Sequence, residues 1–200
     1  MPTARESLLD SALSALTGLP WSAVRMVDVA SAAGVSRQTL YNEFGSKDGL
    51  ARALARREAD VYLRGVDRAL GEAAAPTERL AAVAEWTVAT ARGHPMVRAL
   101  LTGCWGERLP APRPAFRTTG SPVPAQRRAD AGLPGPSELL AVVRDRAVAA
   151  LEPGRPKEEA DRIAYHCEVA LRLALSYIVA PGGQGVEGVG RLVRDAAMRS

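Results

Sequence analysis

Five polar side chains, Arg37, Gln38, Thr39, Tyr41 and Asn42, fall within six consecutive positions of the segment MVDVASAAGVSRQTLYNEFGSKDGL, residues 26–50. Side chains of these types can donate to base edges and to phosphates. Leu40 and Phe44, four apart, mark the inward face of a short helix over about Arg37 to Phe44. The five polar groups are left on its outward face. Ser36 suits the N-cap, and Gly45 breaks the helix at its far end.

A helix of two turns does not hold itself together in water. The sequence supplies a partner, a second short helix over about Val27 to Ala33, joined to the first by Ala-Gly-Val-Ser. Ala30 is small where the two axes approach, and Gly34 stands where the turn needs a positive φ. Val35 and Leu40 are expected to plug the angle between the helices. This is the layout of a helix-turn-helix.

From Asp28 to Leu50 the pattern D-V-A-x-x-A-G-V-S-x-x-T-L-Y-x-x-F-x-S-K-x-x-L resembles the TetR family of transcriptional regulators. The resemblance continues in looser form along the chain through the number of helices. It implies an all-α fold: an N-terminal three-helix helix-turn-helix DNA-binding domain, residues 1–48, then a larger C-terminal helical ligand-binding and dimerisation domain, residues 49–200. It further implies a repressor that binds double-stranded operator DNA as a homodimer and leaves it when a small molecule binds. The DNA contacts it implies are Arg25, Ser36, Arg37, Gln38, Thr39, Tyr41, Asn42 and Lys47. Arg37, Gln38 and Thr39 would face the major groove and Tyr41 a phosphate. Lys47 would meet another phosphate with help from the dipole of the helix it starts. Two positions depart from the family. Arg25 stands where Thr or Ser is usual, which removes a capping side chain. Glu43 stands where His or Tyr is usual. An acid approaches a phosphate only at a cost, so that contact is lost or Glu43 pairs with a nearby arginine.

The other elements read as helices too. Leu9, Ala12, Leu13 and Leu16 form one apolar stripe, with Thr3 and Glu6 at capping-box spacing ahead of it. Ser46 can cap a fourth helix that fades between Gly71 and Pro76. Further helices are expected from Thr77 to Arg92, from Pro95 through Cys104, from a Ser137 cap to Leu151, from Lys157 to Ala180 and from Val186 to Met198. Residues 106–136 differ: seven prolines lie between Pro110 and Pro136, and the stretch reads as a long loop. The helix from Lys157 is apolar over a wide arc, and the last helix is glycine-rich. Both are expected to pair with their symmetry mates in a four-helix dimer interface. A ligand pocket in the body would draw on Trp86, Met96, Leu100, Cys104, Trp105, Leu140, Tyr165 and His166. This set has few ionisable groups and suits a largely apolar effector.

Composition narrows the alternatives. Of 200 residues, 47% are apolar and 24% charged, the balance of a globular chain. Two cysteines and two histidines argue against a disulfide framework and against a metal site, and the chain reads as cytoplasmic. There is no apolar run of 18 residues and no signal-peptide layout, so no membrane association is expected. No catalytic residue and no cofactor is expected: Walker and His-Glu-x-x-His patterns are missing, and the chain is read without a nucleotide-binding glycine loop. Residues 1–50 hold four basic and five acidic side chains, so non-specific phosphate attraction is modest and placement must do most of the binding. That balance and Glu43 support a competing reading, a helical protein-interaction module that has lost DNA binding.

Overall fold

The structure, a computed structural model, describes residues 2–72, 75–112, 134–151, 156–181 and 185–198. Among the described residues are nine α-helices, one 3-10 turn and no strand. The described residues divide into two compact units, one of residues 2–58 with 105–112, the other of those within 59–104 and 134–198.

In the first unit α1 (Ala4–Gly18) starts at the expected capping box. The Thr3 amide donates to the Glu6 carboxylate at 2.7 Å, and the Glu6 amide donates to Thr3 Oγ1 at 3.2 Å. The Thr3 hydroxyl also donates to Glu6 Oε2 at 3.0 Å, and the two bonds into the carboxylate, the one from the Thr3 backbone above all, hold the Glu6 carboxyl below its ordinary range. Leu8, Leu9 and Ala12 are the buried positions of α1, while Leu13 and Leu16 are half-buried. The inward face is therefore turned towards Leu8 relative to the expected stripe.

A 3-10 turn (Trp21–Ala23) leads into α2 (Met26–Ala32). Gly34 takes φ +67°, and the Val35 amide donates to the Ala30 carbonyl at 3.0 Å, which closes the turn into α3 (Arg37–Phe44). Ala30, Leu40 and Phe44 are buried, while Val35 is only half-buried. Ser36 caps α3 by accepting from the Thr39 amide at 3.0 Å. Ser46 accepts from the Gly49 amide at 3.1 Å in the first turn of α4 (Lys47–Glu72). That turn crosses the end of α3 so closely that a Cβ on Gly49 would lie 1.8 Å from the Phe44 carbonyl oxygen.

The second unit contains the rest of α4 from Ala59, then α5 (Pro76–Gly93), α6 (Pro95–Thr102), α7 (Pro136–Leu151), α8 (Lys157–Val179) and α9 (Gly185–Met198). Helix α5 packs against α8 and α9. Tyr62 is fully buried, with its hydroxyl 3.0 Å from Thr87 Oγ1, and burial raises its pKa. The Trp86 ring fills the notch at Gly65, where a Cβ would lie 2.1 Å from it, and its indole N–H donates to the Tyr62 carbonyl at 3.2 Å. Arg146 pairs with Asp67 and donates to the Leu63 carbonyl.

Two expectations for this unit are corrected. Helix α7 begins at Pro136, so Ser137 lies inside it and is not its N-cap. Helix α6 stops at Thr102, because Gly103 turns left-handed at φ +75°, and Cys104 is therefore an exposed residue beyond the helix. Of the proline- and arginine-rich stretch, residues 113–133 lie outside the described residues.

Candidate nucleic-acid interface

Helix α3 is anchored by Leu40 and Phe44, which are 0% and 2% exposed, and this fixes which side it turns outward. Arg37, Gln38, Tyr41 and Asn42 lie on that outward side, with Tyr41 40% exposed. Gln38 Nε2 donates to Asn42 Oδ1 at 2.9 Å, an i,i+4 pair along the surface. Thr39 is half-buried, and its hydroxyl lies 2.9 Å from Ser36 Oγ, so both are engaged at the N-terminus of the helix.

Arg25, Arg37, Tyr41 and Lys47 come together around one recess of about 390 Å³, with Ser22, Val24, Met26 and Val27 completing its wall. Lys47 Nζ donates to the Ser22 carbonyl at 3.2 Å and sits 5.0 Å from the centre of the Trp21 ring. Partial desolvation there lowers the Lys47 pKa. Arg25 occupies the N-cap position of α2 without a side-chain cap bond and lies 3.8 Å from Asp28. Three cationic groups and a phenol thus converge on a shallow, open surface, a chemistry suited to phosphate oxygens. Glu43 is held by Arg5 at 3.3 Å, the arginine partner foreseen as one resolution of its departure. Trp21, Ser22 and Arg5 were not among the expected site residues. The first two lie in a three-residue turn with no periodicity to reveal it, and Arg5 is 38 residues from its partner in sequence.

The residues expected to bind a ligand are dispersed. Met96 and Leu100 are buried in the core, Leu140 is half-buried and Cys104 is exposed. Trp86 is committed to Gly65 and Tyr62, Trp105 belongs to the first unit, and Tyr165 is 63% exposed. His166 lines a separate recess of about 250 Å³ with Thr77, Glu159, Arg162 and Ile163. Its Nε2 is buried and has no hydrogen-bond partner among the described residues. Among the described residues no group of three or more His, Cys, Asp or Glu side chains is placed to hold a metal, and no helix is long and apolar enough to cross a membrane. One Gly-x-Gly-x-x-Gly spelling does occur, from Gly183 to Gly188, contrary to the expectation of none. Its last four positions, Gly185 to Gly188, lie in the first turn of α9, and among the described residues there is no strand, whereas the dinucleotide fingerprint follows one.

In chain order a helix-turn-helix, α2 and α3, precedes the helices of the second unit. Residues 8–54 match the family model described as "Bacterial regulatory proteins, tetR family". The HTH-type transcriptional regulator AlkX of Mycobacterium tuberculosis is 50% identical over 66 residues, 33% of this chain and 31% of that protein. The chain thus spans about a third of that relative's length. An uncharacterised HTH-type regulator of the same species is 26% identical over 179 residues, 90% of this chain and 76% of the relative. The crystal structure of the TetR family repressor AlkX from Dietzia sp. superposes with a TM-score of 0.56 at 23% identity, covering 98% of this chain and 95% of that one. Residues 8–54 are thus similar to the N-terminal DNA-binding part of tetR-family regulators, and the rest of the chain shares their helical fold.

Proposed function

We propose that the protein is a homodimeric repressor that leaves its operator when a small, largely apolar molecule binds its helical body. In this reading residues 1–48 form the DNA-binding domain and residues 49–200 the ligand-binding and dimerisation domain. The recess formed by Arg25, Arg37, Tyr41 and Lys47 carries the proposal, because it offers phosphate-binding chemistry beside the outward face of α3. Arg37, Gln38, Thr39 and Asn42 read base edges there, with Ser36 at the helix start, while Arg25, Tyr41 and Lys47 grip the backbone.

Exposed Tyr165 and Val179 on α8, 63% and 67% accessible, and Leu192 on α9 at 42% support pairing of these two helices with a second copy. Effector binding in the body is proposed on the apolar character of Met96, Leu100 and Leu140, with Trp86, Cys104, Trp105, Tyr165 and His166 as the remaining candidates. A neighbouring fold, the Dietzia repressor, is implicated in n-alkane biodegradation, which is consistent with an apolar effector. Helix α4 runs through both units, so an effector that prefers another setting of the body has a covalent route to Lys47.

The test is enrichment of duplexes from a random pool by the purified chain, followed by affinity measurement. The wild type is expected to enrich one sequence. The triple variant Arg37→Ala, Tyr41→Ala, Lys47→Ala is expected to lose at least a hundredfold, about one to three kcal/mol for each specific contact. A folded wild type that enriches nothing overturns the proposal in favour of an interaction module.

A further inference from the structure

Helix α3 has eight residues, no basic residue in its last turn, and a carboxylate, Glu43, next to its end. Its final carbonyls lack intrahelical partners, and a negative charge there opposes the helix dipole. Taken alone, the sequence of α3 is poorly made at its C-terminus. The remedy comes from α1. Arg5 Nη1 donates to the Glu43 carbonyl oxygen and to Glu43 Oε2, both at 3.3 Å. The guanidinium also lies 4.7 Å from the centre of the Phe44 ring, a cation–π contact against a residue that is 2% exposed. Both partners of the ion pair are about two-thirds covered, at 34% side-chain exposure each. One side chain therefore caps an orphan carbonyl, neutralises the misplaced charge and presses on the residue that anchors α3.

We propose that Arg5 is a positioning residue for DNA binding, clamping the C-terminal end of α3 so that its outward face meets the duplex in a fixed setting. The proposal rests on the reading of α3 given above as the DNA-contacting helix. Ser36 fixes one end of α3 and Arg5 the other. Tyr41 and Asn42 lie in the turn that Arg5 holds. Arginine suits this role better than lysine, whose compact ammonium stacks less well on the Phe44 ring.

The experiment uses the full chain and the duplex enriched by the wild type, with an unrelated duplex as the non-specific probe. Arg5→Ala is expected to lower the ratio of specific to non-specific affinity about tenfold, the loss typical of a hydrogen bond to a charged group. The slope of log affinity against log salt stays at the wild-type value, because Arg5 touches no phosphate. Glu43→Ala alone lowers the ratio in the same direction, and the double variant is no worse than Arg5→Ala. Arg5→Lys falls between. Circular dichroism verifies the fold. If Arg5→Ala does not fold, Glu43→Gln decides: a lowered ratio, despite removal of a negative charge near DNA, supports the clamp, and an unchanged or raised ratio overturns it. A ratio within twofold of wild type for folded Arg5→Ala also overturns the clamp. So does a salt slope smaller by about one, which makes Arg5 a direct phosphate contact. A wild type that enriches no sequence sinks the DNA reading itself, and the clamp with it. Enrichment with an indifferent Arg5→Ala sinks the clamp alone.

Discussion

Lys47 is held from two directions, by the Ser22 carbonyl and by the Trp21 ring, so under the proposed function its ammonium is positioned in the free protein. Replacing it by methionine keeps much of the stem and removes the charge. Operator affinity is then expected to fall, with the salt slope smaller by about one in a titration from low to moderate salt. The two thiols should separate just as clearly. Cys104 is exposed, whereas Cys167 is buried, and burial pushes its thiol up to about 12 from an ordinary 9. A thiol reagent at pH 8 is expected to titrate one cysteine quickly and the second only after unfolding. The same shift has a sign for stability. Between pH 9 and 12 the unfolded chain has lost a proton that the folded chain keeps. Stability is therefore intact below pH 9 and declines as pH rises through that window, by at most about 1.4 kcal/mol per unit. Urea midpoints for Cys167→Ala against wild type, taken from pH 8 to 11, measure that decline.

At the scale of elements, the caps and close approaches should be the expensive positions. Ser36→Ala is expected to cost about 1 kcal/mol in urea unfolding, the usual value of an N-cap. Gly65→Ala should cost about 1–3 kcal/mol, because the Trp86 ring must move to admit the methyl group. The first of these positions was legible in the sequence and the second was not, and the reason is physical. Ser36, Gly34 and the Thr3–Glu6 box act within three or four residues, so their spacing is itself the evidence. Leu40 and Phe44 were equally readable, because four residues return a helix to the same face. Gly65 meets Trp86 only after two helices have packed, and Lys47 meets Ser22 across 25 residues. Periodicity says which residues turn inward but not which inward residues meet. Hence the expected ligand set came out scattered among the core, the surface and two units. The error at Ser137 has a simpler origin. Two cap-compatible residues stand side by side, and the helix starts at the proline.

At the scale of the whole molecule, the proposed assembly depends on the apolar faces of α8 and α9. Val179→Asp combined with Leu192→Asp is expected to give a folded monomer by sedimentation, with operator affinity reduced by more than a hundredfold as the two half-sites lose their linkage. A double variant that remains dimeric would place the interface elsewhere. The crossing at Gly49 has a consequence for engineering. At position 49 a side chain requires the α3–α4 junction to shift, because its Cβ would lie 1.8 Å from the Phe44 carbonyl oxygen. Transplanting the reading head between relatives must therefore carry the stretch through residue 49 as one cassette. A splice made at the inviting Gly45 bend would risk setting a foreign methyl against that oxygen, and the chimera would fail for a reason unrelated to the DNA letters it was built to recognise.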